Sequence, residues 1–322
     1  FFDEIQNIEG WEHFARRLAN QKYNIYITGS NAKMLSREIA TTLGGRFWNK
    51  DVYPYSFAEY LNARDIILSK NWMYGKQAAE VSKAFNDYFL YGGFPELTDV
   101  IAKRVWLNDI YSKIFFSDLI VRNKVRNEEA LGLLVRRLAE NVKQPISYTR
   151  LANLISSIGI KISKATVIEF IRYLKESCLI FPIENYAAKF AERNSNMKHY
   201  FIDNGLLSIF LLDGNTSLLE NIVAIHLYKR YGAQLYFYNQ NIEVDFIIPE
   251  AKTAIQVSYS LMDETTCRRE VEGLIKLNRV FPMDNMCIIT RDEERIITHE
   301  SGVSIHVIPV WKWLLEEEPL QT

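Results

Sequence analysis

Residues 1–31 read FFDEIQNIEGWEHFARRLANQKYNIYITGSN, and they decide the fold class. Phe1 and Phe2 run straight into the carboxylates of Asp3 and Glu4. That is the pattern of a buried strand whose acidic tip emerges at its carboxyl edge, where open α/β sheets bind ligands. Trp11, Phe14, Ala15 and Leu18 then recur at helical spacing. Tyr23 to Thr28 is β-rich and ends in Gly29-Ser30-Asn31, and a second helix from Lys33 to about Leu43 stops at Gly44-Gly45. Strand, helix, strand, helix with short links predicts one side of a mostly parallel sheet.

Working outward, the 322 residues are 48% hydrophobic, 13% aromatic and 24% charged, a globular composition that excludes a disordered or fibrous chain. The 38 Lys and Arg against 39 Asp and Glu leave a net charge of −1 and no global pull toward a polyanion. Cys178, Cys267 and Cys287 are odd in number and far apart, which excludes a disulfide scaffold and a four-cysteine zinc site. No apolar run approaches the roughly 18–20 residues of a membrane span. The expectation is a soluble, cytoplasmic protein without a membrane partner.

An Asp-Glu pair after an apolar strand has a use in nucleotide hydrolysis: the Asp holds Mg²⁺ through water and the Glu polarises the attacking water. Taken alone, such a pair is more often a helix cap or solvated surface. The runs FFDEIQNIEGWEHFARRL, YNIYITGSNAKMLSREIATTLGGR and YPYSFAEYL, with YGGFPE and YFIDNGLL further on, closely resemble a prokaryotic AAA+-type P-loop ATPase family across the whole chain. That family carries a C-terminal domain long catalogued as of unknown function. The resemblance implies that Asp3 and Glu4 are the Walker B pair, with Asp3 the Mg²⁺ residue, and that Ser30 and Asn31 occupy the sensor-1 position. It makes Arg46 a candidate arginine finger or phosphate sensor, with a surface arginine after a helix stop as the alternative. ATP and Mg²⁺ are the implied cofactors.

A phosphate-cradling loop requires G-x-x-x-x-G-K-[ST]. The one Gly-Lys of the chain, Gly75-Lys76, is followed by Gln77 and lacks the earlier glycine. In the family that loop precedes Walker B, so the chain reads as truncated ahead of Phe1. It is expected to bind ATP weakly as it stands.

Four regions are expected: a partial ATPase core (1–56), a helical lid (57–125), a winged helix (126–190) and a nuclease-like domain (191–322). The fold class is thus multidomain α/β and α+β. In the third region Ser147 is placed to cap YTRLANLISSIG, a helix follows from Ser163, and β-rich CLIFPIENY comes next. Residues 101–200 carry 17 Lys and Arg against nine Asp and Glu. Lys161, Lys164, Arg172 and Lys175 are candidates for DNA contact, with a protein-docking face as the alternative reading, since Glu169 and Glu176 interrupt that surface.

In the last region the order αβββαβ resembles the PD-(D/E)xK nuclease core. That resemblance implies Glu220 on the helix, Asp245 on the second strand, and an E-x-K position that here reads Gln256-Val257-Ser258. Gln256 cannot add a carboxylate charge and Ser258 cannot supply an ammonium. The expectation is therefore a degenerate nuclease fold, with Glu243 and Asp245 capping turns or paired with Arg268 or Arg269. Taken together the chain reads as an ATPase coupled to C-terminal domains. The alternatives are a DNA-binding or protein-docking module with a vestigial ATPase, and a metal-dependent nuclease, which Gln256 and Ser258 disfavour. The oligomeric state is left open.

Overall fold

A computed structural model describes residues 1–5, 8–29, 47–193 and 195–316. At the amino end, Gly10 sits at φ 74° and opens α1 (Trp11–Asn20), whose Trp11 and Ala15 pack with Ile5 into a small core bordered by Phe2, Ile27 and Phe47. The strand expected over Tyr23 to Thr28 is reduced to one parallel bridge, Phe2 to Ile27. Its two hydrogen bonds run from Phe2 N–H to Tyr26 O and from Thr28 N–H to Phe2 O, each 2.9 Å. The reason is local: Glu4 adopts φ 48°, a left-handed conformation that turns the chain out of register after one residue. The helix expected over Lys33 to Leu43 lies outside the described residues.

A capping box at Ser56 and Glu59 opens α2 (Phe57–Asn62). The chain continues through α3 (Lys76–Tyr91) and α4 (Lys103–Lys113), and α4 runs on into a π-helical segment, Ile114–Val121. Phe57, Tyr60, Phe85, Tyr88 and Phe89 are buried, while Trp106, Tyr111 and Phe115 are half-buried and Phe116 is 54% exposed.

Next come α5 (Glu128–Glu140), β1 (Ile146–Ser147), α6 (Tyr148–Ser156) and α7 (Lys164–Glu176). Ser147 caps α6 by accepting from Arg150 N–H, and Ser163 caps α7 by accepting from Thr166 N–H. The turn between them passes Gly159 at φ 94°. β2 (Ile180–Asn185) pairs antiparallel with β3 (Asn196–Phe201), and β1 adds to the other edge of β3. The short α8 (Phe190–Arg193) lies between β2 and β3.

Beyond β3 follow α9 (Asn204–Ser208), α10 (Asn215–Tyr231), β4 (Tyr236–Asn239), β5 (Glu243–Ile248), β6 (Thr253–Val257), α11 (Glu264–Val280) and β7 (Asn285–Thr290). From α10 to β7 this is the αβββαβ order read from the sequence. β4, β5 and β6 form an antiparallel meander, and α11 carries the chain back to set β7 parallel to β6. β8 (Arg295–Thr298), β9 (Ser304–Pro309) and α12 (Val310–Glu316) complete the chain. Among the described residues, nine strands join one sheet in the order β1-β3-β2-β4-β5-β6-β7-β9-β8. The joint is the parallel pairing of β2 with β4, Glu184 to Tyr236 and Asn185 to Phe237. The boundary expected between 190 and 191 therefore falls between two paired strands.

One hydrophobic core runs from Phe57 to Leu314 and draws on the helices, β2, β3 and the C-terminal strands alike. A second, smaller core lies between the sheet and α11, built on Val244, Ile247, Ala254, Leu274 and Ile288. Among the described residues no helix is long and apolar enough to cross a membrane.

Candidate functional site

Asp3 and Glu4 stand where the Phe2–Ile27 bridge ends. Asp3 Oδ1 accepts a hydrogen bond from the Thr28 hydroxyl, so the carboxylate is tied to the tip of the neighbouring extended segment. The sequence reading passed over Thr28, although it directly precedes Gly29-Ser30-Asn31 in the sequence. Glu4, at φ 48°, lies near enough to the π-helical segment for its charge to act on Asp118. Burial raises the Asp118 carboxyl there; Arg122, 2.9 Å away, opposes the rise, and the charge of Glu4 adds to it. Asp3 is exposed, a donor set compatible with a water-bridged Mg²⁺. Ser30, Asn31 and Arg46 lie outside the described residues.

The second constellation surrounds a residue that the sequence reading did not single out. Alternation on β3 puts Lys198 and Tyr200 on one face and His199 and Phe201 on the other. Lys198 is 0% exposed, yet carries an ammonium. Its Nζ lies 3.2 Å from Glu220 Oε1, 3.1 Å from Asp245 Oδ1 and 3.7 Å from Glu243 Oε1. The Tyr200 hydroxyl donates to the same Glu220 oxygen at 2.7 Å. Burial would lower the Lys198 pKa, but the charges of Glu220, Asp245 and Glu243 outweigh it and keep the ammonium protonated. Burial pushes Glu220 up to about 7 despite Lys198. The ion-pair geometry fixes the arrangement: three carboxylates share one buried ammonium.

Gln256 completes this arrangement as a brace. Its Oε1 accepts from Asp245 N–H at 2.9 Å and its Nε2 donates to Glu243 O at 3.0 Å, while Asp245 Oδ2 accepts from Val257 N–H at 3.0 Å. Gly273 of α11 approaches so closely that a Cβ there would lie 3.0 Å from Gln256 Nε2. Glu220 and Asp245 are thus brought together on Lys198, whereas Gln256 joins them only through the backbone of Glu243 and Asp245 and packs beneath Gly273 of α11. Ser258 is directed elsewhere, donating to Ser260 O at 3.0 Å. The basic partner of Glu243 and Asp245 is Lys198; Arg269 instead pairs with Glu270 at 2.6 Å. The signal was present in the sequence, since a lone Lys inside Met197–Phe201 can be buried only with a counter-charge.

The quoted signatures YGGFPE and YFIDNGLL meet at Asp203. Its carboxylate accepts from Gly93 N–H at 2.8 Å and from Gly205 N–H at 2.7 Å. Asn204 Nδ2 donates to Phe89 O and to Leu218 O, and Asn221 Nδ2 donates to Asn204 Oδ1, each at 3.0 Å. Burial raises Asp203 to about 6 against the pull of these N–H donors. The two motifs form a clasp that holds the end of α3 against β3 and α10.

On α7 and the turn before it, Lys161, Lys164 and Lys175 are exposed. Arg172 is also exposed but lies 3.3 Å from Glu176 and 3.8 Å from Glu169. Among the described residues no group of three or more His, Cys, Asp or Glu side chains is placed to hold a metal ion.

Residues 1–61 match the AAA domain, and residues 82–217 match a domain of unknown function (DUF8612). The chain is similar to an uncharacterized protein of Methanocaldococcus jannaschii, 34% identical over 98% of this chain and 74% of that protein. It is also similar to an uncharacterized protein of Haemophilus influenzae, 31% identical over 98% of this chain and 76% of that protein. A second M. jannaschii protein is 24% identical over 76% of this chain and 57% of its own length. No solved structure matches. With an AAA-type segment at its start and near-complete alignment to the first two proteins, the chain belongs to their family.

Proposed function

We propose that this chain is the working body of an ATP-hydrolysing protein, in which Asp3 serves Mg²⁺ and Glu4 orients the attacking water. The observation that carries the reading is the Asp3–Thr28 tie at the end of the bridge, inside the segment that matches the AAA domain. When bound, Mg·ATP supplies the phosphoryl group and the charge on the metal. The protein's part is to hold Asp3 at the sheet tip and to aim Glu4. The test uses two chains. The 322-residue chain should bind ATP with a dissociation constant above ~1 mM. A chain with a family phosphate-binding segment placed ahead of Phe1 should hydrolyse Mg·ATP, and absence of turnover there overturns the reading.

In this reading the region from α5 to β3 is a winged helix, supported by its order of helix, strand, two helices and two strands. Arg172 is held by Glu169 and Glu176, which leaves Lys161, Lys164 and Lys175 as the outward charge. Binding to a duplex should then be non-specific. Three phosphate contacts at about −0.9 each give a slope of log K against log salt no steeper than about −3. A fluorescence-anisotropy salt titration reads that slope, and sequence-selective binding or a slope near −6 would refute the assignment.

The region from α10 to β7 is read as a PD-(D/E)xK-like core without nuclease activity. The meander β4-β5-β6, the crossover α11 and the approach of Glu220 and Asp245 to one ammonium support it. Gln256 and Ser258 argue against cleavage.

A further inference from the structure

We infer that Lys198 is the resident cation of the nuclease-like site, its ammonium occupying the place between Glu220 and Asp245 where a divalent metal would sit. The inference rests on the reading of residues 215–290 as a PD-(D/E)xK-like core, and it concerns what that core has become.

Three observations converge. First, the ammonium touches the carboxylates of both residues that would ligate a metal, at 3.2 and 3.1 Å, and Glu243 closes a third side at 3.7 Å. A side chain with no exposure and three anionic neighbours is fixed, not visiting. Second, the third ligand position is spent on the backbone. Gln256 uses both ends of its amide to bridge Asp245 N–H and Glu243 O, so neither end is turned to a metal. Asp245 Oδ2 is likewise engaged by Val257 N–H. Third, Tyr200 donates its hydroxyl to Glu220 Oε1, the same oxygen that Lys198 holds. A divalent ion entering here would meet a positive charge and displace three hydrogen bonds. Mg²⁺ therefore does not fit these residues as they stand.

The lysine also comes from an unexpected place. The E-x-K position would supply its ammonium from β6, beside the metal. Here the residue just past β6 is Ser258, whose hydroxyl donates to Ser260 O, and the ammonium arrives from β3, a strand outside the αβββαβ unit. A cation delivered by β3 ties that strand to β5 and α10 without any metal. The nuclease-like site has thereby become a permanent ionic joint between the helical region and the C-terminal strands.

Removing the lysine should reopen the site. Mn²⁺ is the probe, followed by loss of its free six-line electron paramagnetic resonance signal. The wild-type chain should show no saturable Mn²⁺ binding through Asp245. Lys198→Ala should gain one site with a dissociation constant of about 0.1–1 mM, the weak end for oxygen-ligand sites. Adding Asp245→Asn to Lys198→Ala should abolish it. Lys198→Gln, which retains an N–H donor and most of the volume, is the second variant should Lys198→Ala not fold. It should gain the same site more weakly. Wild-type Mn²⁺ binding that Asp245→Asn removes overturns the inference while leaving the nuclease-like reading intact. Folded lysine variants that gain no Mn²⁺ site overturn both.

Discussion

Asp203→Ala should cost the protein about 3–5 kcal/mol of unfolding free energy, a large part of the 5–15 kcal/mol typical of a folded domain. The carboxylate satisfies Gly93 N–H and Gly205 N–H inside the protein, where water does not replace it. Each buried donor left unpaired costs about 1–3 kcal/mol. The glycines are equally constrained. A Cβ on Gly93 would lie 2.3 Å from Tyr55 O, and one on Gly205 would lie 2.1 Å from Tyr91 O, both backbone atoms that cannot rotate away. Gly93→Ala and Gly205→Ala should each cost about 1–3 kcal/mol through forced backbone shifts. Urea unfolding followed by tryptophan fluorescence measures all three. A loss below about 1 kcal/mol for Asp203→Ala would mean the clasp is dispensable.

Glu4→Gln should abolish most turnover while sparing nucleotide binding, in a chain that carries the phosphate-binding segment. Gln preserves size and polarity but removes the charge that polarises water, an effect of about 10²–10⁴ in rate for a positioned general base. Asp3→Asn should behave differently. Its carboxylate, held by the Thr28 hydroxyl, is the one proposed for Mg²⁺, so the variant should lose metal-dependent binding as well as rate. Equal losses of binding in both variants, or near-normal turnover in Glu4→Gln, would contradict the assigned roles. A coupled phosphate-release assay with a nucleotide-binding titration separates the outcomes.

Much of the architecture could be read before any coordinates. The cap at Ser147 and the helix start near Ser163 are local signals, and the αβββαβ order from α10 to β7 follows from hydrophobic period and turn residues. The approach of Glu220 to Asp245 is consistent with that order. What stayed hidden depends on long-range partners. Gly93 and Asp203 are 110 residues apart, so YGGFPE and YFIDNGLL read as two motifs where the folded protein has one clasp. Lys198 escaped because its counter-charges lie on α10 and β5, outside its own hairpin. The strand over Tyr23 to Thr28 was over-read, since strand propensity in one segment says nothing about where its neighbour turns away. Here Glu4 turns after a single residue.

The pairing of β2 with β4 has a consequence for how such a chain can be inherited. A hybrid gene joined near codon 190, taking its first part from one relative and its second from another, would need β2 of one parent to fit β4 of the other. It would also need the lysine-bearing β3 of the second parent to slot between β1 and β2 of the first. Three seams would be mismatched at once: β2 against β4, and β3 against both β1 and β2. Residues 57–316 are therefore expected to pass through evolution as a single block, exchanged whole or not at all, however many regions their sequence suggests.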